Sequence, residues 1–174
     1  MIPLYQRNYI LKGINIMNLR APAYPLVTVD PYFSLWSMSD KLNESTVNHW
    51  TGKPNTLIGT VTVDGTEKLF MGKSDREKIE QISVDVDAFT TTYQFSDGKI
   101  LLTVRFTTPL LPDDLNTMTR PVSYMAVNYQ SVDGESHDVS VTVLASEELV
   151  MTKKGDDTVS VEAVMAGDIP CMKM

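Results

Sequence analysis

Phe89-Thr-Thr-Thr-Tyr-Gln-Phe-Ser-Asp-Gly-Lys-Ile-Leu-Leu-Thr-Val-Arg-Phe106 decides the fold class of this 174-residue chain. Phe89, Thr91, Tyr93 and Phe95 alternate with Thr90, Thr92 and Gln94. After Ser96-Asp97-Gly98, Ile100, Leu102, Val104 and Phe106 alternate with Leu101, Thr103 and Arg105. A period of two sends successive side chains to opposite faces of a strand. The Asp-Gly pair supplies the positive φ that tight hairpin turns demand. The stretch therefore predicts an antiparallel hairpin with Phe95, Ile100, Leu102, Val104 and Phe106 facing a core.

The same grammar recurs on both sides. Residues 58–63 and 66–71 flank Asp64-Gly65, and residues 123–131 and 138–144 flank Asp133-Gly134, with Val141 and Val143 assigned to the core. A fourth hairpin is expected from residues 148–152 and 158–165 around a turn at 155–157. Residues 73–81 offer the one helical turn, with Ser74 as its cap. The loop 109–121 holds Pro109, Pro112 and Pro121, which exclude a central strand. Strands arriving every 8–12 residues or so, without an internal repeat, predict an all-β antiparallel β-sandwich. Residues 1–18 read as an N-terminal extension or arm, and residues 19–174 as the sandwich domain.

Composition narrows the function classes. Hydrophobic residues make up 43% and charged residues 21%, as in ordinary globular domains. The net charge of −7 argues against a nucleic-acid partner, because phosphate neutralisation needs clustered Lys and Arg. No apolar run reaches the roughly eighteen residues of a membrane span. Residues 1–18 make a poor signal peptide, since Asn8, Lys12, Gly13 and Asn15 interrupt any apolar stretch. A single cysteine, Cys171, cannot form an internal disulfide.

The reactive residues give no self-sufficient active site. Asp30 precedes Pro31, so it reads either as a general acid or base or, more plainly, as a turn former whose carboxylate accepts backbone amides. Acidic pairs recur at Asp85/Asp87, Asp113-Asp114, Glu147-Glu148 and Asp156-Asp157, but a hydrolytic dyad needs carboxylates across a cleft. Asp85/Asp87 reads as a solvated face, and Asp113-Asp114 and Asp156-Asp157 as loop and turn residues with a weak cation site as the alternative. No zinc spacing, nucleophile elbow or phosphate-binding glycine loop occurs. Asn43-Glu44-Ser45 is a glycosylation triplet. No catalytic residue, metal ligand or cofactor is assigned. His49-Trp50-Thr-Gly-Lys53-Pro54 is the most loop-like aromatic cluster. It reads either as a docking or stacking surface or as an indole plugging the sandwich end with His49 bonded to backbone.

Several ordered motifs resemble the N-terminal non-catalytic domain of the glutaminase A family. They are Ala21-Pro22, Pro25-Leu-Val-Thr-Val-Asp-Pro-Tyr-Phe-Ser-Leu-Trp36, His49-Trp-Thr-Gly-Lys-Pro54, Phe70-Met-Gly72, Phe106-Thr-Thr-Pro-Leu-Leu-Pro-Asp-Asp-Leu115 and Arg120-Pro-Val-Ser-Tyr124. The resemblance implies a supersandwich-like fold, truncated relative to its relatives. It implies a scaffold that docks a catalytic α/α toroid, in cis or absent, in exported glutamine amidohydrolases found in the periplasm or outside the cell. Trp36, His49, Trp50, Lys53 and Arg120 are the ligand- or domain-docking candidates. The alternative is a free-standing module that binds a glycan or peptide. Because a sandwich cut short exposes strand edges, a homo-oligomer is expected, with His49-Trp50 or the edge at 158–165 in the contact.

Overall fold

The computed structural model describes residues 21–151 and 158–174; the expected arm at 1–18 and turn at 155–157 lie outside them. The strands are β1 (Tyr24–Thr28), β2 (Ser34–Ser37), β3 (Val47–Asn48), β4 (Leu57–Val63), β5 (Thr66–Met71), β6 (Glu80–Val86), β7 (Thr90–Ser96) and β8 (Ile100–Thr107). After a one-turn helix α1 (Leu115–Met118) come β9 (Tyr124–Ser131), β10 (Val139–Ala145), a 3-10 turn at Glu147–Leu149, β11 (Glu162–Ala166) and β12 (Ile169–Lys173). Sheets run β1-β2-β3, β10-β4-β5, β6-β7-β8-β9 and β11-β12, with every strand pairing antiparallel. The chain is an all-β sandwich.

The quoted hairpin forms as β7–β8. Cross-strand partners Thr91–Phe106, Tyr93–Val104 and Phe95–Leu102 share the buried face. Its turn is held by the Asp97 carboxylate, which accepts the N–H groups of Lys99 and Ile100 at 3.1 Å each. The β4–β5 turn places Asp64 at φ 48° and Gly65 at φ 81°. Two successive left-handed residues make the turn whose twist matches a hairpin, and Asp is among the few side chains that tolerate it.

The other expected hairpins do not form. β9 pairs with β8 and β10 pairs with β4, so the segment around Asp133-Gly134 crosses between sheets. Burial decides this, because Val139 and Val141 of β10 lie opposite Val63 and Val61 of the core. Val143, assigned to the core, lies opposite Gly59 on that same face but is 45% exposed, because the described residues leave this end of β10 uncovered. The segment before residue 152 forms the 3-10 turn instead of a strand. β11 pairs with β12, so the edge expected at 158–165 is confined to Glu162–Ala166. The helical turn expected at 73–81 is absent; Ser74 Oγ accepts Arg76 N–H, and Lys78 bridges to Leu69. A helix appears in the 109–121 loop instead, where Asp114 caps it by accepting the Thr117 N–H at 3.1 Å.

The two main sheets meet through aromatic rings. Phe70 of β5 lies 6.0 Å from Phe95 of β7, across the two layers, and within the larger sheet Tyr93 stands edge-on to Phe106 at 6.2 Å. Phe70 reaches this position because Gly59 has no side chain: a Cβ there would meet the ring 2.4 Å away. One side of the sandwich is closed. Along β5, Leu69 exchanges backbone hydrogen bonds with the segment leading to β6: Leu69 N–H to Glu77 O, and Ile79 N–H to Leu69 O. Asn43, though in a glycosylation triplet, is buried there and donates to Leu69 O and Ile79 O at 3.0 and 2.9 Å. On the other side β9 and β10 end their sheets among the described residues.

Candidate functional site

Two places gather polar and aromatic side chains. The first is a corner where two turns meet. Asp30 Oδ1 accepts the N–H groups of Tyr32 and Phe33 at 2.7 and 2.9 Å, the turn-forming role that its place before Pro31 suggests. This turn presents the Pro31 carbonyl, which accepts the Trp50 indole N–H at 2.6 Å and His49 Nε2 at 3.1 Å. A carbonyl can only accept, so His49 carries its proton on Nε2. Nδ1 then accepts from Thr51 Oγ1 at 2.8 Å. The His49-to-Lys53 turn closes with Gly52 N–H donating to His49 O, Gly52 being at φ 87°. The indole is thereby fixed while its ring stays 59% exposed, beside Tyr32 at 94% and Phe33 at 40%.

The docking candidates separate. His49 and Trp50 share the corner, with ring centroids 5.5 Å apart. Lys53 belongs to the same turn, but its ammonium donates to the carbonyls of Glu148, at 3.2 Å, and Met151. It pins the 3-10 turn, a favourable place for a cation because orphan carbonyls collect at helix ends. The Glu148 carboxylate completes the pin by accepting Thr56 N–H at 3.0 Å and Thr56 O–H at 2.6 Å. Trp36 is half-buried on β2 opposite Asn48, and its indole N–H is shielded without a hydrogen-bond partner among the described residues. Arg120 is exposed in the turn that ends α1, where its N–H donates to Thr117 O.

The second place escaped the sequence reading. His137 Nδ1 lies 2.9 Å from Asp64 Oδ2, and Nε2 lies 3.0 Å from both oxygens of Asp133. Lys99 Nζ donates to the same Asp64 oxygen at 2.6 Å, and Asp138 N–H donates to the other at 3.1 Å. These residues come from the β4–β5 turn, the β7–β8 turn and the β9–β10 crossover. The cluster therefore ties both sheets together at one end. Lys99 and His137 hold the Asp64 carboxyl well below the usual carboxylate range. The Glu135 N–H and His137 lower Asp133 to about 2. Asp133 and Asp64 raise His137. With both ring nitrogens given to carboxylates, the imidazolium has no lone pair for general-base work. Among the described residues no group of His, Cys, Asp and Glu is arranged to hold a metal ion. The Cys171 thiol, on β12, points to Ile169 O at 3.5 Å. No helix among the described residues is long and apolar enough to cross a membrane.

Residues 6–83 match the family described as Domain of unknown function (DUF4964), and residues 90–174 match Domain of unknown function (DUF5127). The sheets ignore this division. β6 of the first part pairs with β7 of the second, and β4 pairs with β10. The chain is similar to Glutaminase A of Aspergillus oryzae, with 28% identity over 131 residues, covering 70% of this chain. The chain spans 19% of the length of that curated relative. No solved structure matches it.

Proposed function

We propose that this chain, with residues 19–174 as a single domain, is the non-catalytic N-terminal scaffold and docking domain of an exported, glutaminase-A-like amidohydrolase. The chemistry resides in a helical α/α toroid supplied by the same polypeptide, and the isolated chain is inactive. The observation that carries this reading is the similarity to Glutaminase A over a stretch that is only 19% of that protein, in a chain that is all β. Its test is glutamine hydrolysis by the isolated chain, and by the Aspergillus relative with and without the matched region. The expected result is no turnover above buffer for the chain, and loss of activity or solubility for the shortened relative. Turnover that survives purification and disappears when Asp30 or His49 is replaced overturns it, as does a shortened relative with undiminished activity.

A second reading draws on the exposed corner of Tyr32, Phe33, His49 and Trp50: a free-standing module that stacks a glycan or peptide. An aromatic ring held rigidly by its own N–H loses little freedom on binding. Saturable quenching of Trp50 fluorescence by a glycan or peptide panel, abolished by Trp50→Ala, supports it. We further propose that the chain self-associates in isolation, because two of its strand edges carry none of the usual protection.

A further inference from the structure

We propose that two copies of this chain associate through the open side of the sandwich, β9 pairing with β9 and β10 with β10 of the second copy. This rests on the reading that the chain self-associates, and it names the surface.

The molecule protects its other edges. β5 has its backbone engaged by residues 77–79 and by Asn43. β6 carries Glu80 and Asp85 and a bulge between Gln81 and Ser83. β3 is engaged by Asn55 N–H, which donates to Val47 O, and β1 contains Pro25. The β11–β12 ribbon bears Glu162, Lys173 and Pro170. Charge, bulge, proline and cover are the devices by which sheets avoid pairing with strangers. β9 reads Tyr-Met-Ala-Val-Asn-Tyr-Gln-Ser and β10 reads Val-Ser-Val-Thr-Val-Leu-Ala, with no charge and no proline in either. Among the described residues each is bonded to one neighbour, β8 or β4, and ends its sheet.

The side chains agree with the backbone. Met125, Val127 and Tyr129 lie opposite Phe106, Val104 and Leu102, so they belong to the core face. Burial fades along it until Tyr129 is 53% exposed. Val143 is the counterpart on β10. Ile100, Tyr129, Val139 and His137 line a cleft that opens between the sheets on this side.

A second copy is the occupant that this chemistry suits. A two-fold axis normal to both sheets makes β9 and β10 antiparallel to their counterparts at once, so both layers continue across one interface. Under that symmetry each residue near the axis faces a copy of itself or a close neighbour. A charge in either strand would face its own sign, which destabilises cross-strand pairs. In a protein of net charge −7, two uncharged edges meet that requirement.

The test is sedimentation equilibrium at micromolar concentration on the native chain, Tyr129→Lys, Val143→Lys and Ile82→Lys. All three sites are already half-exposed, and Ile82 lies on protected β6. The native chain and I82K are expected to dimerise, whereas Y129K and V143K remain monomeric with unchanged circular dichroism. Hydrogen exchange on the native chain checks the same point without a variant: β9 and β10 amides should slow as concentration rises. A dimer that Y129K and V143K leave intact, with no concentration-dependent protection of β9 and β10, overturns the interface and leaves self-association standing. A native chain that stays monomeric overturns both.

Discussion

His137 and Asp64 are 73 positions apart in sequence and meet at 2.9 Å, joining the β9–β10 crossover to the β4–β5 turn. Asp133 holds the opposite ring nitrogen, so the geometry is satisfied only by an imidazolium.

Stability should therefore fall on the alkaline side. The raised value of His137 means that its contribution is complete below 6.5, the ordinary histidine value, and is lost as pH rises through the folded value. Denaturant midpoints on either side of neutrality should drop for the native chain and stay level for His137→Gln. In acid the sign reverses. The lowered carboxyls of Asp64 and Asp133 contribute above 3.8, and that contribution is lost as pH falls toward their folded values. Equal alkaline slopes in the two proteins would remove His137 as the cause.

Burial separates two substitutions of similar appearance, one on β8 and one on β10. Leu102→Ala empties a fully buried site and should cost about 2–5 kcal/mol. Val143→Ala trims a half-exposed edge and should cost below about 1 kcal/mol. Urea unfolding at fixed pH measures both; equal losses would place Val143 in the core after all.

Gly59→Ala should destabilise although alanine is small. Its Cβ would meet Phe70 Cζ at 2.4 Å and Cε2 at 2.5 Å, and that ring is wedged against Phe95. Overpacking of this kind costs about 1–3 kcal/mol. Restoration by Phe70→Leu in the same chain would identify the ring as the obstacle, and no restoration would reject it.

Cutting the chain between β6 and β7 should yield two pieces that do not fold separately. The cut divides β6 from β7 and β4 from β10, which exposes four strand edges. Circular dichroism of each piece should show little sheet, and mixing should restore it. Two independently folded pieces would make 6–83 and 90–174 separate domains.

What could be read from the sequence was local. Asp64-Gly65 and Ser96-Asp97-Gly98 carry their turn geometry in the residues themselves, and the alternation from Thr91 to Phe106 fixes which face is buried. The pattern of Val139, Val141 and Val143 likewise specifies a face, yet it does not specify which strand lies alongside. Asp133-Gly134 looks like Asp64-Gly65, but Asp133 accepts from Ser131, Glu135 and His137 and so holds a broader crossover. His137 gave no signal because its partner Asp64, which also holds Lys99, lies 73 positions off in sequence. Lys53 was legible as part of a loop motif, though its targets near Glu148 and Met151 were not. Trp50 was visible as a corner residue; its anchor on Pro31 depends on two turns meeting.

The crossover at Asp133 also sets a timetable for synthesis. Asp138, at the entrance to β10, bonds Asp64 from 74 positions downstream. At about 5–20 residues per second, a ribosome needs roughly 4–15 s to supply it. Throughout that interval the nascent β4–β5 hairpin keeps the flank of β4 that β10 will occupy unpaired. A chaperone that shields short apolar strands would find its client in that unfinished chain.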